Sequence, residues 1–167
     1  SYLITNIVMT CFIFILWRHN KQRYNGLGYF LADHVMQSAG LVLIFLRNII
    51  PDFFSIVISN SILVLGIIYL IKGFSLFVNK FINNSINYIY FIIYVILIFY
   101  YSMIDLNLST RTIIIAISGI FILSQCYYLA QYHKDHDVKP IYGAVKVSLF
   151  LLIIVNLVRA VKMLYAN

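Results

Sequence analysis

Six apolar runs separated by short polar connections constrain this 167-residue sequence more than any other feature. A helix needs about 20 mostly apolar residues to cross the ~30 Å hydrocarbon layer of a bilayer. The short connections make consecutive helices antiparallel neighbours. The pattern predicts an all-α integral membrane protein, a single domain over residues 1–167 formed by a compact bundle of about six transmembrane helices at residues 2–17, 27–46, 51–74, 86–104, 110–132 and 140–161.

The composition supports a chain that uses lipid as its solvent. Hydrophobic residues make up 63% of the sequence and charged residues only 10%, whereas a soluble domain has about 25% charged residues. The net charge is +7, but the basic residues lie mostly between apolar runs, where they meet anionic headgroups rather than nucleic acid. We therefore expect membrane lipids as partners and no nucleic acid.

The sequence contains no recognisable reactive constellation. Cys11 and Cys126 both lie in apolar runs without metal-ligand spacing. There is no phosphate-binding loop, nucleophile elbow, zinc motif or pair of catalytic carboxylates. The polar stretch at residues 133–137 includes a His-x-x-His spacing, which fits a solvated loop as well as a metal site. We expect no enzymatic activity, no cofactor and no resident metal.

The distribution of Lys and Arg predicts the orientation, because cytoplasmic loops of membrane proteins are enriched in both. Seven such residues fall on the side of the first, third and fifth connections, and four on the other side. The amino terminus is therefore predicted to lie outside. The seven are Arg18, Lys21, Arg23, Lys72, Lys80, Lys134 and Lys139, and the four are Arg47, Arg111, Arg159 and Lys162.

One polar group lies in the cytoplasmic half of the second predicted helix. Asp33 and Gln37 are one turn apart on one face, with His34 and Ser38 beside them. Asp33 and Lys146 each lie six residues into a span, or about 9 Å at 1.5 Å per residue. They are predicted either to form a structural ion pair between helices two and six or to serve a proton-linked or ligand-binding role, although each could also extend to the interface independently.

A second polar group lies near the outer face of the predicted bundle. Two arginines over a polar helix start can hold an anionic ligand or a lipid headgroup. In the alternative interpretation, Arg47 pairs with Asp52 and both arginines only anchor to headgroups. The first interpretation predicts a cavity between helices two, three and six that admits a small amphiphilic or anionic ligand. Its candidate residues are Arg47, Asp52, Ser55, Asn60, Asn156 and Arg159.

Three glycines within the runs have a simpler predicted role. Gly66, Gly73 and Gly119 are expected to permit close helix packing rather than to bind a ligand, because small residues let membrane helices approach each other.

Two sequence stretches resemble a known family. Residues 26–30 read Gly-Leu-Gly-Tyr-Phe, and residues 47–60 read Arg-Asn-Ile-Ile-Pro-Asp-Phe-Phe-Ser-Ile-Val-Ile-Ser-Asn. Together they resemble the amino-terminal membrane-sensor region of a group of bacterial diguanylate cyclases, which carry a cytoplasmic Gly-Gly-Asp-Glu-Phe domain. The similarity is best over residues 17–75; beyond them it rests mainly on hydropathy and Arg159. The matching positions are Arg47, Pro51, Asp52, Ser55 and Asn60.

The resemblance implies a sensor domain in a bacterial cytoplasmic (inner) membrane that takes part in cyclic di-GMP signalling. It also implies a further helix before the output domain and a homodimer, because cyclase output requires two such domains to meet. The 167 residues depart from the family by containing no cyclase domain. The alternative from another class is a small transporter or channel subunit that uses Asp33, His34 and Lys146 as an intramembrane pathway.

The predicted orientation can be tested by labelling. A cysteine placed within residues 18–26, in a chain lacking Cys11 and Cys126, should not react with a membrane-impermeant thiol reagent in intact cells. A cysteine within residues 47–50 should react, because that connection is predicted to face outside. Labelling of the first site from outside, with protection of the second, would invert the orientation.

Overall fold

The computed structural model describes residues 2–22, 26–132 and 139–165, and all regular structure within them is helical. Two of the helical segments are π-helical, and we name them π1 and π2. The elements are α1 (Tyr2–Asn20), α2 (Leu27–Phe45), π1 (Phe53–Ile58), α3 (Ser59–Phe77), α4 (Asn84–Phe99), π2 (Tyr100–Ile104), α5 (Leu108–Leu129) and α6 (Lys139–Tyr165).

Six helical spans in the described residues are long and apolar enough to cross a membrane, as the sequence predicts. π1 and α3 are continuous and form one span, and α4 and π2 form another. The helix ends all lie within four residues of the predicted ones, and α1 and α6 continue beyond their apolar runs to Asn20 and Tyr165. Both extensions contain charged residues. A helix can continue past the point at which its side chains become polar, so its end need not coincide with the end of an apolar run.

Two asparagines shape the short connections at the Pro51-containing and Asp105-containing turns. Asn48 adopts a left-handed conformation with φ 75°, and the amides of Ile49 and Ile50 both donate to the carbonyl of Leu46. The side chain of Asn107 caps α5 by accepting a hydrogen bond from the amide of Thr110 at 2.9 Å. Such caps satisfy helix amides that have no partner within the helix.

The helices pack in the order α1, α2, α3, α5 and α6, with α4 against α3 and α5. The backbone of α6 approaches α5 and no other described helix. We call the end with the α2–π1 and π2–α5 turns the Pro51 end, and the opposite end the Gly26 end. The apolar core lies between α3, α4 and α5 and includes Val64, Ile68, Ile71, Tyr94, Ile98, Ile122, Cys126 and Leu129.

Helices α2 and α3 meet along a line of small residues that we call the glycine seam. A methyl group added at Gly73 would lie 3.0 Å from the carbonyl oxygen of Gly26, and one at Gly66 would lie 3.0 Å from a carboxylate oxygen of Asp33. One at Gly40 would lie 3.1 Å from the carbonyl oxygen of Ser59. The predicted packing role of Gly66 and Gly73 is confirmed, and Gly119 likewise meets Asn156 of α6.

The seam has a heptad spacing on both helices. Gly26, Asp33 and Gly40 recur every seventh residue, and so do Ser59, Gly66 and Gly73 on the partner helix. Because 3.5 residues per turn keeps such positions on one face, the two rows pair in antiparallel order over the length of both helices. Gly26 also needs its lack of a side chain for its backbone, which has φ 106°.

The seam makes a prediction about stability. Gly73→Ala should lower the free energy of unfolding by about 1–3 kcal/mol, the usual cost of overpacking a well-packed interface. Gly143→Ala on α6 is the matched control, because a methyl group there meets no atom within 4 Å; it should be neutral or stabilise by up to about 1 kcal/mol through helix propensity. Circular dichroism during denaturant titration in micelles measures both. Equal effects of the two changes would show that the seam is not tightly packed.

Candidate functional site

Polar side chains within the spans form hydrogen bonds mainly between neighbouring helices. Between α1 and α2, the hydroxyl of Ser38 donates to the side-chain oxygen of Asn6 at 2.7 Å and lies 3.1 Å from the hydroxyl of Thr10. Thr10 also donates to the carbonyl oxygen of Asn6 at 2.8 Å. His34 lies beside this group, and its Nδ1 is buried without a partner among the described residues.

Asp33 is buried in the glycine seam. Gln37 donates at 3.2 Å both to the Asp33 carboxylate and to the carbonyl oxygen of Leu63 on α3. The Asp33–Gln37 face predicted from the sequence therefore exists, and it faces Gly66 of α3. The side chains serve as a polar link between α2 and α3.

The predicted ion pair between Asp33 and Lys146 is wrong for the described residues. Lys146 lies on α6, whose backbone approaches only α5, and its side chain lines a groove with Tyr127 of α5. The prediction rests on the equal depths of Asp33 and Lys146 on their own helices. Depth alone does not specify which helices are neighbours.

A buried amide pair joins α4 to α5 and was not predicted. Asn87 donates to Gln125 at 3.0 Å, and Gln125 donates back to Asn87 at 2.7 Å. Nearby, the hydroxyl of Tyr90 donates to Ser118 at 2.6 Å. Asn87 and Gln125 both lie in the halves of their runs nearer the Gly26 end, which is a signal that the sequence contains, although it does not pair them.

The two π-helical segments contact each other at the Pro51 end, where they bring the ends of two spans together. In π2, the amide of Asp105 donates to the carbonyl oxygen of Tyr100, five residues earlier, at 3.0 Å. At the same end of the bundle, the rings of Phe53 and Phe99 meet edge to face with their centroids 6.3 Å apart. Short π-helical segments within α-helices occur frequently at functional sites.

Each π-helical segment holds a buried serine whose hydroxyl has no partner in the part of the chain that the structure describes. Ser55 of π1 is 2% exposed and Ser102 of π2 is 3% exposed. Elsewhere in the bundle, helical hydroxyls such as those of Ser61 and Thr112 donate to a carbonyl four residues earlier. A buried polar group left without a partner costs about 1–3 kcal/mol. These two hydroxyls therefore favour the binding of a polar ligand that forms hydrogen bonds with them.

Three charged residues lie beside this contact. Arg47 and Asp52 flank the α2–π1 turn and are exposed. Arg111 is half-buried in the first turn of α5, and the charges of Arg47 and Asp52 both act on its guanidinium group. We name the π1–π2 contact with Ser55, Ser102, Arg47, Asp52 and Arg111 the π junction.

The predicted cavity between helices two, three and six is not formed in the described residues. Arg159 is exposed on α6, whose backbone does not approach α2 or α3. Asn156 packs against Gly119 of α5 and donates to the carbonyl oxygen of Leu152 at 2.9 Å. Asn60 donates to the carbonyl oxygen of Ile56 at 2.7 Å. Of the six candidate residues, the π junction contains Arg47, Asp52 and Ser55.

Sequence reasoning missed Ser102 and Arg111 as members of the site. Ser102 lies three residues before Asp105, just as Ser55 lies three residues after Asp52. The sequence therefore indicates that the two serines lie at equal depth. Arg111 is among the basic residues whose distribution predicts the orientation, but the sequence did not indicate it as a site residue. The contact of π2 with π1, on which the site depends, required the structure.

Comparison with known proteins gives no further indication of function: no protein-family model matches the chain, and neither do any curated proteins or solved structures. Within residues 2–22, 26–132 and 139–165, no three His, Cys or Asp side chains form a group that could hold a metal ion. The His-x-x-His loop at residues 133–137 lies outside the described residues.

The pairing of polar residues can be tested with double-mutant cycles in micelles. Asn87→Leu and Gln125→Leu should show a coupling energy of about 0.5–2 kcal/mol, the range for hydrogen bonds between membrane helices. Asp33→Asn and Lys146→Met should be additive within about 0.5 kcal/mol, because side chains without contact do not couple. A coupling energy between Asp33 and Lys146 larger than about 0.5 kcal/mol would show that the two side chains do form an ion pair.

Proposed function

We propose that this chain is a membrane-embedded sensor or signal-input domain and that the π junction is its sensing site. The observation that carries the proposal is the pair of buried hydroxyls of Ser55 and Ser102, which have no partner among the described residues, at the contact of two π-helical segments. Three members of the site, Arg47, Asp52 and Ser55, lie in the segment that resembles the sensor region of diguanylate cyclases. In the proposal, its output is a cytoplasmic cyclase domain outside these 167 residues.

The charges of the junction favour a small amphiphilic or anionic ligand. Arg47 and Arg111 contribute two positive charges, and Asp52 contributes one negative charge. A guanidinium group offers several donors in a planar arrangement that suits carboxylate and phosphate. Apolar rings from Phe53 and Phe99 line the same end of the bundle, and they suit the apolar part of an amphiphile.

A small transporter or channel subunit is the second candidate. It is favoured by two groups on adjacent positions of α2: the Nδ1 of His34, which has no partner within the described part of the chain, and the buried carboxylate of Asp33. A transport pathway would need polar groups on both sides of the midplane. The core between α3, α4 and α5 is instead filled by aliphatic side chains such as Ile68, Ile98 and Ile122, which favours the sensor.

The proposal includes a location and an assembly. The protein lies in a bacterial cytoplasmic membrane with its amino terminus outside, so that the π junction faces the outer side and the Gly26 end faces the cytoplasm. It acts as a homodimer, because cyclase output requires two such domains to meet. Helices α1 and α6 expose apolar side chains over most of their surface and are available for that contact.

The test uses the intact gene product in bacteria that carry a fluorescent cyclic di-GMP reporter. The reading frame beyond the codon for Asn167 should first be shown to encode a further span and a Gly-Gly-Asp-Glu-Phe motif. Arg111→Gln should then shift the reporter signal by roughly tenfold, because a hydrogen bond to a charged group is worth about 1.5 kcal/mol. Arg159→Gln is the matched control and should leave the signal unchanged.

Two outcomes would contradict the sensor proposal. One is an equal response of the reporter to Arg111→Gln and Arg159→Gln, because only Arg111 belongs to the π junction. The other is ion flux through vesicles containing the purified protein that Asp33→Asn abolishes, which would favour the transporter.

A further inference from the structure

A groove between α5 and α6 near the Gly26 end is separate from the π junction. It is lined by Tyr127 of α5 and by Lys146, Val147, Phe150 and Leu151 of α6, with a volume of about 250 Å³. Lys146 and Phe150 are four residues apart on α6, as are Val147 and Leu151. The four side chains therefore form one strip that runs from Lys146 towards the middle of the helix.

The strip is polar at one end and apolar at the other. Val147, Phe150 and Leu151 are 61%, 54% and 56% exposed, so their faces are open to whatever surrounds the bundle. Lys146 lies at the second residue of the apolar span Val145–Tyr165, and Tyr127 lies three residues from the end of α5 at Leu129, counting both. Both polar groups thus stand where the apolar part of the bundle ends.

The charge of Lys146 has no counter-charge among the described residues. Asp33 is turned into the seam between α2 and α3, and the carboxylates of Asp52 and Asp105 lie at the opposite end of the bundle. The other lysines whose surroundings are described near this end, Lys21, Lys72 and Lys80, each lie over an aromatic ring. A half-buried ammonium group in an apolar groove favours an anion, which would offset its lost hydration.

We propose that this groove, which we call the Lys146 groove, binds an anionic phospholipid. The phosphate accepts hydrogen bonds from the Lys146 ammonium group and the Tyr127 hydroxyl, and an acyl chain lies along Val147, Phe150 and Leu151. A single occupant of this kind matches both ends of the strip, because a phospholipid joins a charged head to an apolar chain. The proposal is independent of the sensor function.

Fluorescence quenching by brominated lipids tests the proposal directly. The sequence contains one tryptophan, so a Trp17→Phe background with Phe150→Trp places a single reporter in the groove. The protein is reconstituted in vesicles of phosphatidylcholine with either brominated phosphatidylglycerol or brominated phosphatidylcholine. We expect about fivefold tighter association of phosphatidylglycerol at this reporter, the effect of one basic residue near a membrane surface.

Variants at the polar end identify the cause of the preference. Lys146→Met should abolish it, Lys146→Arg should keep it, and Tyr127→Phe should reduce it. A reporter introduced by Phe12→Trp on α1, which is exposed away from the groove, should show no preference. Inorganic phosphate should not displace the lipid, because it supplies no acyl chain.

Four results would overturn the proposal. The first is equal quenching by the two lipids at the Phe150→Trp reporter, and the second is a preference that survives Lys146→Met. The third is protection of the reporter from both lipids, together with disulfide formation between copies of a Phe150→Cys variant lacking Cys11 and Cys126, which would assign the groove to a second copy of the chain. Competition by inorganic phosphate alone would assign it to a free anion.

Discussion

The close contact of α2 and α3 along the glycine seam is the constraint on which the rest of the bundle depends. Within a bilayer, burying apolar side chains gives little advantage over leaving them in lipid, so association depends on close packing and on hydrogen bonds. The seam supplies the packing through Gly26, Gly40, Gly66 and Gly73. Gln37 adds the hydrogen bond across it, and Asp33 fits there because Gly66 has no side chain.

The hydroxyl groups of the bundle separate its structural part from its candidate site. Ser38, Ser118 and Thr10 each take part in a hydrogen bond between helices, so their polarity is used to hold neighbouring helices together. Ser55 and Ser102 are as deeply buried, yet they have no partner in the described residues. Packing alone does not account for two polar groups placed in this way, which is why they carry the functional proposal.

The sequence predicted the spans and the packing glycines Gly66, Gly73 and Gly119, though not Gly26 and Gly40. Both predictions rest on local properties: apolar length sets the first and residue size sets the second. It also predicted part of the site, since Arg47, Asp52 and Ser55 are close along the chain. It failed where a prediction needed the identity of a neighbouring helix. Lys146 was assigned to Asp33 and Arg159 to Arg47 from their depth, but α6 packs on α5, and hydropathy does not specify which helices are neighbours.

A hydrogen bond joins the seam to the π junction, and this connects the site to the packing. Ser59 forms the last pair of the seam with Gly40, and its hydroxyl donates to the carbonyl oxygen of Ser55 at 2.6 Å. Conversion of π1 into an α-helix would change its hydrogen-bond register by one residue, or about 100° of rotation. Because Gly40 and Ser59 are in close contact, such a rotation would disturb that contact. In the proposed sensor, a ligand that holds π1 in one form would therefore also set the packing of α2 against α3.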